Sequence, residues 1–441
     1  VILATMDGNM RGAPGRLAAL VIGGGPAGLF LAADLARRFG EAGVDPVEAK
    51  VTLLEGGPRP GRKLLASGGG QCNITNAGPI ADFIPRYGER GRFLRKALYA
   101  FTNEDLVAWF AARGLECVSE PGGKIFPSSR RATEVLKALE AECALRCVSI
   151  LSSARARSMS IREDGSFIVE ASRSFTAAMA AITTGGRSYP ATGSEGDGYA
   201  LAASLGHAII PPRPALTAIR VRDFPLASLA GLSFEKLGLS LWRGGRKLRD
   251  TVGDLLVTHE GLSGPGILDA SRYMGPGDLV VVDFCGLGRE GLREAFAAKL
   301  ASAPRALPRN LIAEYGLPKR LAERLCELAG IDPETTASTL RRECRETLVG
   351  LASAFPATIE ALGGWDKAMV TAGGVDTSEV NPSTMESKLL GGLFFAGEVL
   401  DIDGDTGGFN LQAAFSTAAL AAKAMADRFL ENRIVKNRAS G

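Results

Sequence analysis

Histidine is nearly absent, with only His207 and His259 in 441 residues. Multi-histidine metal chemistry is excluded on that ground, and no metal site is expected. An excess of one charge is missing too. The 51 basic residues face 48 acidic ones, for a formal net charge of +3, whereas a dedicated nucleic-acid binder is clearly basic. No run reaches the ~18 apolar residues that span a bilayer. The opening VILATMDGNMRGAPGR has no signal-peptide hydrophobic region; residues 1–15 read as a disordered leader or a start-site artefact. Cys72, Cys117, Cys143, Cys147, Cys285, Cys326 and Cys344 are scattered, odd in number and without a CxxC pair. That pattern fits reduced thiols in a cytoplasm, not a disulfide framework. Cys143 and Cys147 have no second Cys or His pair beside them, so they do not make a zinc site.

Glycine is what the chain has in excess, at 55 of 441 residues, where about 7% is usual. Glycine serves tight turns and close backbone approach to a ligand. The length suggests two or three domains of ~100–200 residues each.

The first glycine cluster follows a short apolar run. LAALVI (17–22) reads as a buried parallel strand and leads into Gly23-Gly24-Gly25-Pro26-Ala27-Gly28, then LFLAADLARRFG with helical spacing. In strand–GxGxxG–helix, Gly23 allows the turn, Gly25 lets backbone approach a pyrophosphate, and Gly28 lets helix and strand pack. The helix start, from Pro26 and Ala27, offers N–H groups to phosphate. VTLLE (51–55) is a second strand ending in Glu55, placed to accept ribose hydroxyls. The loop 41–50 lengthens the usual interval between the glycines and this acid.

After Glu55 the chain reads GGPRPGRKLLASGGGQCNITNAG. This long polar, glycine-rich excursion suits a larger dinucleotide such as FAD; the alternative is a surface Ω-loop. Cys72 within it reads as a buried neutral thiol near the cofactor. Near the C-terminal end, LFFAG precedes Glu398, the acids Asp401, Asp403 and Asp405, and then Gly407-Gly408-Phe409-Asn410 opening an Ala-rich helix. That helix start can face an electron-rich edge. The three acids read as a solvated loop.

These blocks, with TTGGRSYPATGSEGDGYALAASLGH (183–207), VTHEGLSGPGIL (257–268) and GGVDTSEVNPSTMESK (373–388), resemble the YhiN-type flavoproteins, a group that includes aminoacetone oxidase and BaiN-like proteins. The resemblance runs from about 17 to 430. It implies an α/β fold: a Rossmann-like FAD-binding domain of the glutathione-reductase type with an inserted β-rich domain and a small helical domain. By similarity, Gly23, Gly25, Pro26, Ala27 and Gly28 meet the pyrophosphate and Glu55 the ribose. Arg62 and Lys63 lie along the cofactor. Gly68, Gly69, Gly70, Cys72 and Asn73 pass near the flavin, and Ser67, Thr184 and Gly185 also count among the cofactor-binding residues. Gly397, Glu398 and Asp403 sit by the ribityl–phosphate part, and Gly408, Phe409, Asn410 and Leu411 by the ring. The family more often has Arg at Gln71, Tyr at Phe409 and Ala at Thr183.

The expected domain boundaries are 16–188 (FAD-binding, first part), 189–287 (β-rich), 288–354 (helical insert), 355–379 (return to the β-rich domain) and 380–441 (FAD-binding, second part). A hairpin is expected around Asp164-Gly165. The basic run Arg86, Arg90, Arg92, Arg95, Lys96 reads as a solvated helix face. His207 reads as closing the helix before it. Tyr189 and His259 are the two candidates for catalysis, each with a structural alternative: core packing for the tyrosine, a tight turn for the histidine.

The expected activity is that of an FAD-dependent oxidoreductase passing hydride between a small organic substrate and flavin, either amine-oxidase-like or an NAD(P)H-linked reductase. No second GxGxxG follows a strand, so NAD(P)H would act as a diffusible donor. A tRNA-acting flavoprotein and a flavin redox sensor without turnover are the alternatives. No nucleic-acid or membrane partner is expected and the location is read as cytoplasmic; the sequence is silent on oligomeric state.

Overall fold

Six consecutive buried residues, Leu17–Ile22, form the strand on which the fold is built. The computed structural model describes residues 16–439, and their side chains through 435. The stretch read as a leader lies outside them. Val51–Leu54 pairs parallel to this strand on one side, with Val21 opposite Leu53. Ser174–Ile182 pairs parallel on the other, with Leu20 opposite Ala180. Near-continuous apolar runs are what a parallel sheet covered on both faces requires.

The long strand Ser174–Ile182 has two neighbours along its far edge. Its first half pairs antiparallel with Phe167–Glu170. Its last three residues pair parallel with Leu393–Phe395, returning from the far end of the chain. Burial follows this change: alternate residues are buried at first, then Met179 to Ile182 without a break. The expected hairpin joins Ser158–Ile161 to Phe167–Glu170. Its turn is held by Asp164 Oδ1, which accepts from the Ser166 N–H at 2.9 Å. Ser149–Leu151 completes the sheet beside Val51–Leu54.

Helix Pro26–Glu41 follows the first strand, and the C-terminal helix Phe409–Ala439 packs against it. Phe30 meets Phe415 edge-on at 5.5 Å, and Phe39 meets Phe429 at 4.7 Å. Gln412, Ser416 and Thr417 are the buried polar residues of the long helix, and each is bonded. Gln412 Nε2 and Ser416 Oγ both donate to Phe101 O, at 3.1 and 2.7 Å. Thr417 Oγ1 donates to Ala413 O at 2.6 Å and accepts from Gly397 N–H at 3.0 Å.

This sheet and its helices form one compact unit, up to 213 and from 370 on. The residues between, Pro214–Met369, form a second. The divisions at 213/214 and 369/370 differ from the sequence-based 188/189 and 379/380. The reason is packing: Tyr199, Leu201 and Ala202 of helix Asp197–Ser204 belong to the first unit's core, as does Val375 of strand Val370–Val375.

The second unit is a closed six-stranded barrel with its helices on one shared core. Ser233–Arg243 and Arg246–Val257 make a long hairpin. Ile219–Val221 closes the barrel against Phe355–Leu362. The helices Gly288–Ser302, Pro308–Ala313, Lys319–Leu328 and Arg342–Ser353 lie between barrel strands in the chain. Phe296, Ile312, Leu321 and Val349 bring them into the barrel's core. Among the described residues no helix is long and apolar enough to cross a membrane.

Candidate functional site

The parallel strands Leu17–Ile22, Val51–Leu54, Ser174–Ile182 and Leu393–Phe395 end at the loops that the sequence singled out. Gly23 stands at φ 111, and a Cβ there would lie 2.6 Å from Thr183 O. A Cβ on Gly28 would lie 1.9 Å from Gly23 O. Thr183 Oγ1 donates to Ile22 O and Gly23 O, at 3.0 and 2.9 Å, fixing the crossing of the two strand ends. Gly25 differs: its Cβ would meet nothing within 4 Å. Gly25 is also the N-cap of helix Pro26–Glu41 with no side-chain cap. The first N–H groups of the helix, from Ala27 on, therefore face an open approach, the arrangement that binds phosphate.

Glu55 is held in place by backbone. Its Oε2 accepts from Gly24 N–H at 2.9 Å and its Oε1 from Gly57 N–H at 2.6 Å. A carboxylate oxygen with one such bond keeps a lone pair for a hydroxyl. Thr184 Oγ1 is buried without a hydrogen-bond partner, and Gly185 beside it is left-handed at φ 74.

The excursion after Glu55 begins with a short helix, Arg62–Ala66. Gly68, Gly69, Gly70 and Cys72 then all take positive φ, between 56 and 88. Ser67 Oγ donates to Leu64 O at 2.6 Å. A Cβ on Gly69 would meet nothing within 4 Å, so this backbone too presents an open face. Asn73 is turned inward, its Oδ1 accepting from Ile125 N–H at 3.2 Å. Burial pushes the Cys72 thiol up to about 12, so it stays neutral. Gln71 is exposed, and Arg130 Nη1 reaches its Oε1 at 3.4 Å; a cation thus stands beside the position where the family more often carries its own.

At the returning end, Gly397 (φ 78) sits with its α-carbon turned to Ala27 and Ala414, at 3.0 and 3.7 Å from a built Cβ. The starts of the two long helices therefore adjoin. A Cβ on Gly408 would lie 2.4 Å from Thr75 O. Phe409 is buried, its ring edge-on to Phe83 at 5.0 Å, and its carbonyl accepts from Tyr87 OH at 2.7 Å. Asn410 clamps its own loop through Gly404 N–H and O, at 2.7 and 2.9 Å. Leu411 is half-buried against the core.

The acids before this helix are not solvated as expected. Asp401 is buried and pairs with Arg90, and Asp405 pairs with Arg86 at 3.6 Å. Burial raises the Asp401 carboxyl, while Arg90 acts against that rise. Part of the basic run is thus committed to this loop, and only Arg92, Arg95 and Lys96 lie on an exposed helix face. Asp403 is half-buried in the same loop. Among the described residues no group of three His, Cys, Asp or Glu could hold a metal ion.

Sequence reading missed a polar hub. Lys63 Nζ lies 2.6 Å from Glu398 Oε2 and 2.5 Å from Ser188 Oγ. Glu398 Oε1 accepts from Thr371 N–H at 2.7 Å, and Thr371 Oγ1 accepts from Arg187 N–H at 2.8 Å. Arg62, by contrast, is spent on Ala191 O at 2.7 Å. Tyr189 follows Ser188, half-buried at φ 55. Only its position after a Gly-Gly pair marked it in the sequence. Tyr199, buried nearby with its hydroxyl unpartnered, has its pKa raised by burial and then by Glu398. His259 is exposed in the turn of the second unit between Thr258 and Gly261.

The family model described as HI0933-like protein Rossmann domain matches residues 17–424. A 3-dehydro-bile acid delta(4,6)-reductase from Clostridium scindens is 35% identical over 415 residues, 92% of this chain and 98% of the relative. A ribosomal RNA dihydrouridine synthase from Haemophilus influenzae is 31% identical over 407 residues, 90% of this chain and 96% of the relative. Among solved structures, the open conformation of a flavocytochrome c3 fumarate reductase matches with a TM-score of 0.49 at 16% identity, over 95% of this chain and 79% of that one.

Proposed function

The chain belongs to the HI0933-like Rossmann family, and we propose from that premise that it is an FAD-dependent oxidoreductase which saturates a carbon–carbon double bond next to a carbonyl in a small organic substrate. The names of both relatives describe such a saturation. One concerns a 3-dehydro-bile acid and the other a uridine of ribosomal RNA.

The single observation that carries the cofactor assignment is the pairing of open and closed glycines at the strand ends. Gly23 and Gly28 cannot accept a side chain, while Gly25 and Gly69 have free space where one would stand. Free space over an uncapped helix start, beside a backbone-held carboxylate, fits a dinucleotide. The unpartnered Thr184 Oγ1 is a further donor in want of an acceptor.

Bound FAD supplies the hydride transfer. The chain's part is orientation and polarity. Gly25 to Gly28 would hold the pyrophosphate, Glu55 the adenosine ribose, and the start of helix Phe409–Ala439 would lend its positive end to the flavin edge. With no second dinucleotide fingerprint in the sequence, a diffusible NAD(P)H is the donor we assign.

Purified protein should carry FAD that is released on denaturation. NADPH should bleach the flavin anaerobically, and a cyclic enone should restore it. A protein that takes up no FAD overturns the reading. Peroxide from aminoacetone in air, with no enone turnover, would replace it with an amine oxidase. Tight binding of ribosomal RNA at low salt would count against a small-molecule substrate.

A further inference from the structure

We infer that Tyr189 is the proton donor of this site, and that the Lys63–Glu398 ion pair, acting through Ser188, is its positioning device. The inference rests on the double-bond reductase reading above.

Tyr189 occupies φ 55, ψ 59, a left-handed conformation that an aromatic residue keeps only where its surroundings hold it. Those surroundings are unusually complete. Ser188 is fully buried. Its N–H donates to Thr371 Oγ1 at 3.3 Å, and its Oγ lies 3.3 Å from Glu398 Oε1 and 2.5 Å from Lys63 Nζ. Two residues earlier, Gly186 is pressed so close that a Cβ would lie 2.2 Å from Thr371 Oγ1 and 2.8 Å from Glu398 Oε1. Ser194 Oγ donates to Gly186 O at 2.9 Å. On the far side, Tyr189 O accepts from Thr192 N–H and Oγ1, at 2.9 and 2.7 Å. The loop 186–192 is therefore tied at both ends, and its one aromatic side chain is left half-exposed.

Place and chemistry agree. The loop leaves the C-terminal end of Ser174–Ile182, next to the Gly23 turn, where parallel sheets bind ligands. Within the described residues no hydrogen bond engages the Tyr189 hydroxyl, so its proton is uncommitted. Tyrosine is among the side chains that act as general acids.

The β-carbon of the double bond gains a hydride, whose electron pair derives from a diffusible nicotinamide dinucleotide, and is reduced. The π pair moves toward the carbonyl. The Tyr189 O–H bond breaks and a C–H bond forms at the α-carbon. Solvent then returns a proton to the phenol. Lys63 and Glu398 touch none of the reacting atoms in this scheme; they fix the backbone that carries the phenol.

Two readouts test this. In anaerobic half-reactions with 2-cyclohexenone, Tyr189→Phe should keep its FAD content and its rate of reduction by NADPH, while reoxidation by the enone slows about 100-fold or more. The second readout needs no turnover: the fluorine NMR line of Tyr189 in 3-fluorotyrosine protein, identified by its loss in Tyr189→Phe. It should be a single line in the wild type. It should split or broaden in Lys63→Met and Glu398→Gln, recover in Lys63→Arg, and shift when FAD binds. An unchanged enone rate in Tyr189→Phe overturns the proton donor, and an unchanged line in Lys63→Met overturns the positioning device. A wild type whose NADPH-reduced flavin no enone reoxidises overturns the function reading first, and this proposal with it.

Discussion

Glycine does different work in the two units. In the barrel unit, close-contact glycines seal strand Arg246–Val257 to helix Pro265–Ser271 and one strand to another. Gly253 and Gly266 face each other so closely that a Cβ on the first would lie 2.5 Å from the α-carbon of the second, and Gly261 lies against Ile219 O at 2.2 Å. Among its open glycines, Gly244 and Gly245 are the tip of an exposed hairpin. In the Rossmann unit the closed glycines Gly23, Gly28 and Gly408 surround backbone that is itself open, at Gly25 and Gly69. The residue type is the same in both, and the sign of φ does not sort them: closed Gly23 and open Gly69 are both positive, whereas open Gly25 stands at φ −76. What a Cβ would meet tells a packing seam from open backbone, and the cofactor reading needs open backbone at Gly25 and Gly69.

Three substitutions sharpen or break that contrast. Gly28→Ala forces a Cβ to 1.9 Å from a backbone oxygen, with no flexible side chain to yield. It should cost the first unit about 3 kcal/mol or more, seen as a large fall in its melting transition and loss of flavin. Gly253→Ala should cost the second unit about 1–3 kcal/mol while the flavin content stays full. Gly25→Ala should leave the melting of FAD-free protein unchanged and weaken FAD about tenfold, roughly 1.4 kcal/mol. If Gly25→Ala instead lowers the melting point of FAD-free protein as Gly28→Ala does, the distinction between seam and cradle fails.

Much of this cradle was legible because its signals are local. Gly23 to Gly28 and Glu55 follow strands whose apolar runs announce burial, and the helix after Gly408 announces itself by its alanines. The hub was not legible. Lys63 and Glu398 stand 335 residues apart, and neither residue has a local pattern that predicts the other. The same holds for Arg90 with Asp401. Read singly, one looked like a solvated helix face and the other like a solvated loop; only pairing across the fold ties the half-buried arginine to the buried acid. Asn73 and Asn410 show the opposite case. Their place in glycine-rich motifs pointed to the cofactor, yet their side chains bond to Ile125 and Gly404.

The smallest effect concerns another pairing distant in sequence, at the edge of the first unit. His207 closes helix Asp197–Ser204, as expected, through its N–H on Ala202 O at 3.1 Å. Its ring is buried between Glu379 Oε2 at 3.1 Å and Ser387 Oγ at 2.9 Å. Burial lowers its pKa, although Glu379 acts the other way. A base whose folded pKa lies below its unfolded value binds fewer protons when folded. Its contribution is then complete above the unfolded pKa near 6.5 and declines as pH falls below it. The first unit should therefore melt at progressively lower temperature between about pH 6.5 and 5, and His207→Gln should flatten that slope whatever it does to the midpoint at neutral pH. A slope unchanged in His207→Gln would assign the acid sensitivity to carboxylates instead.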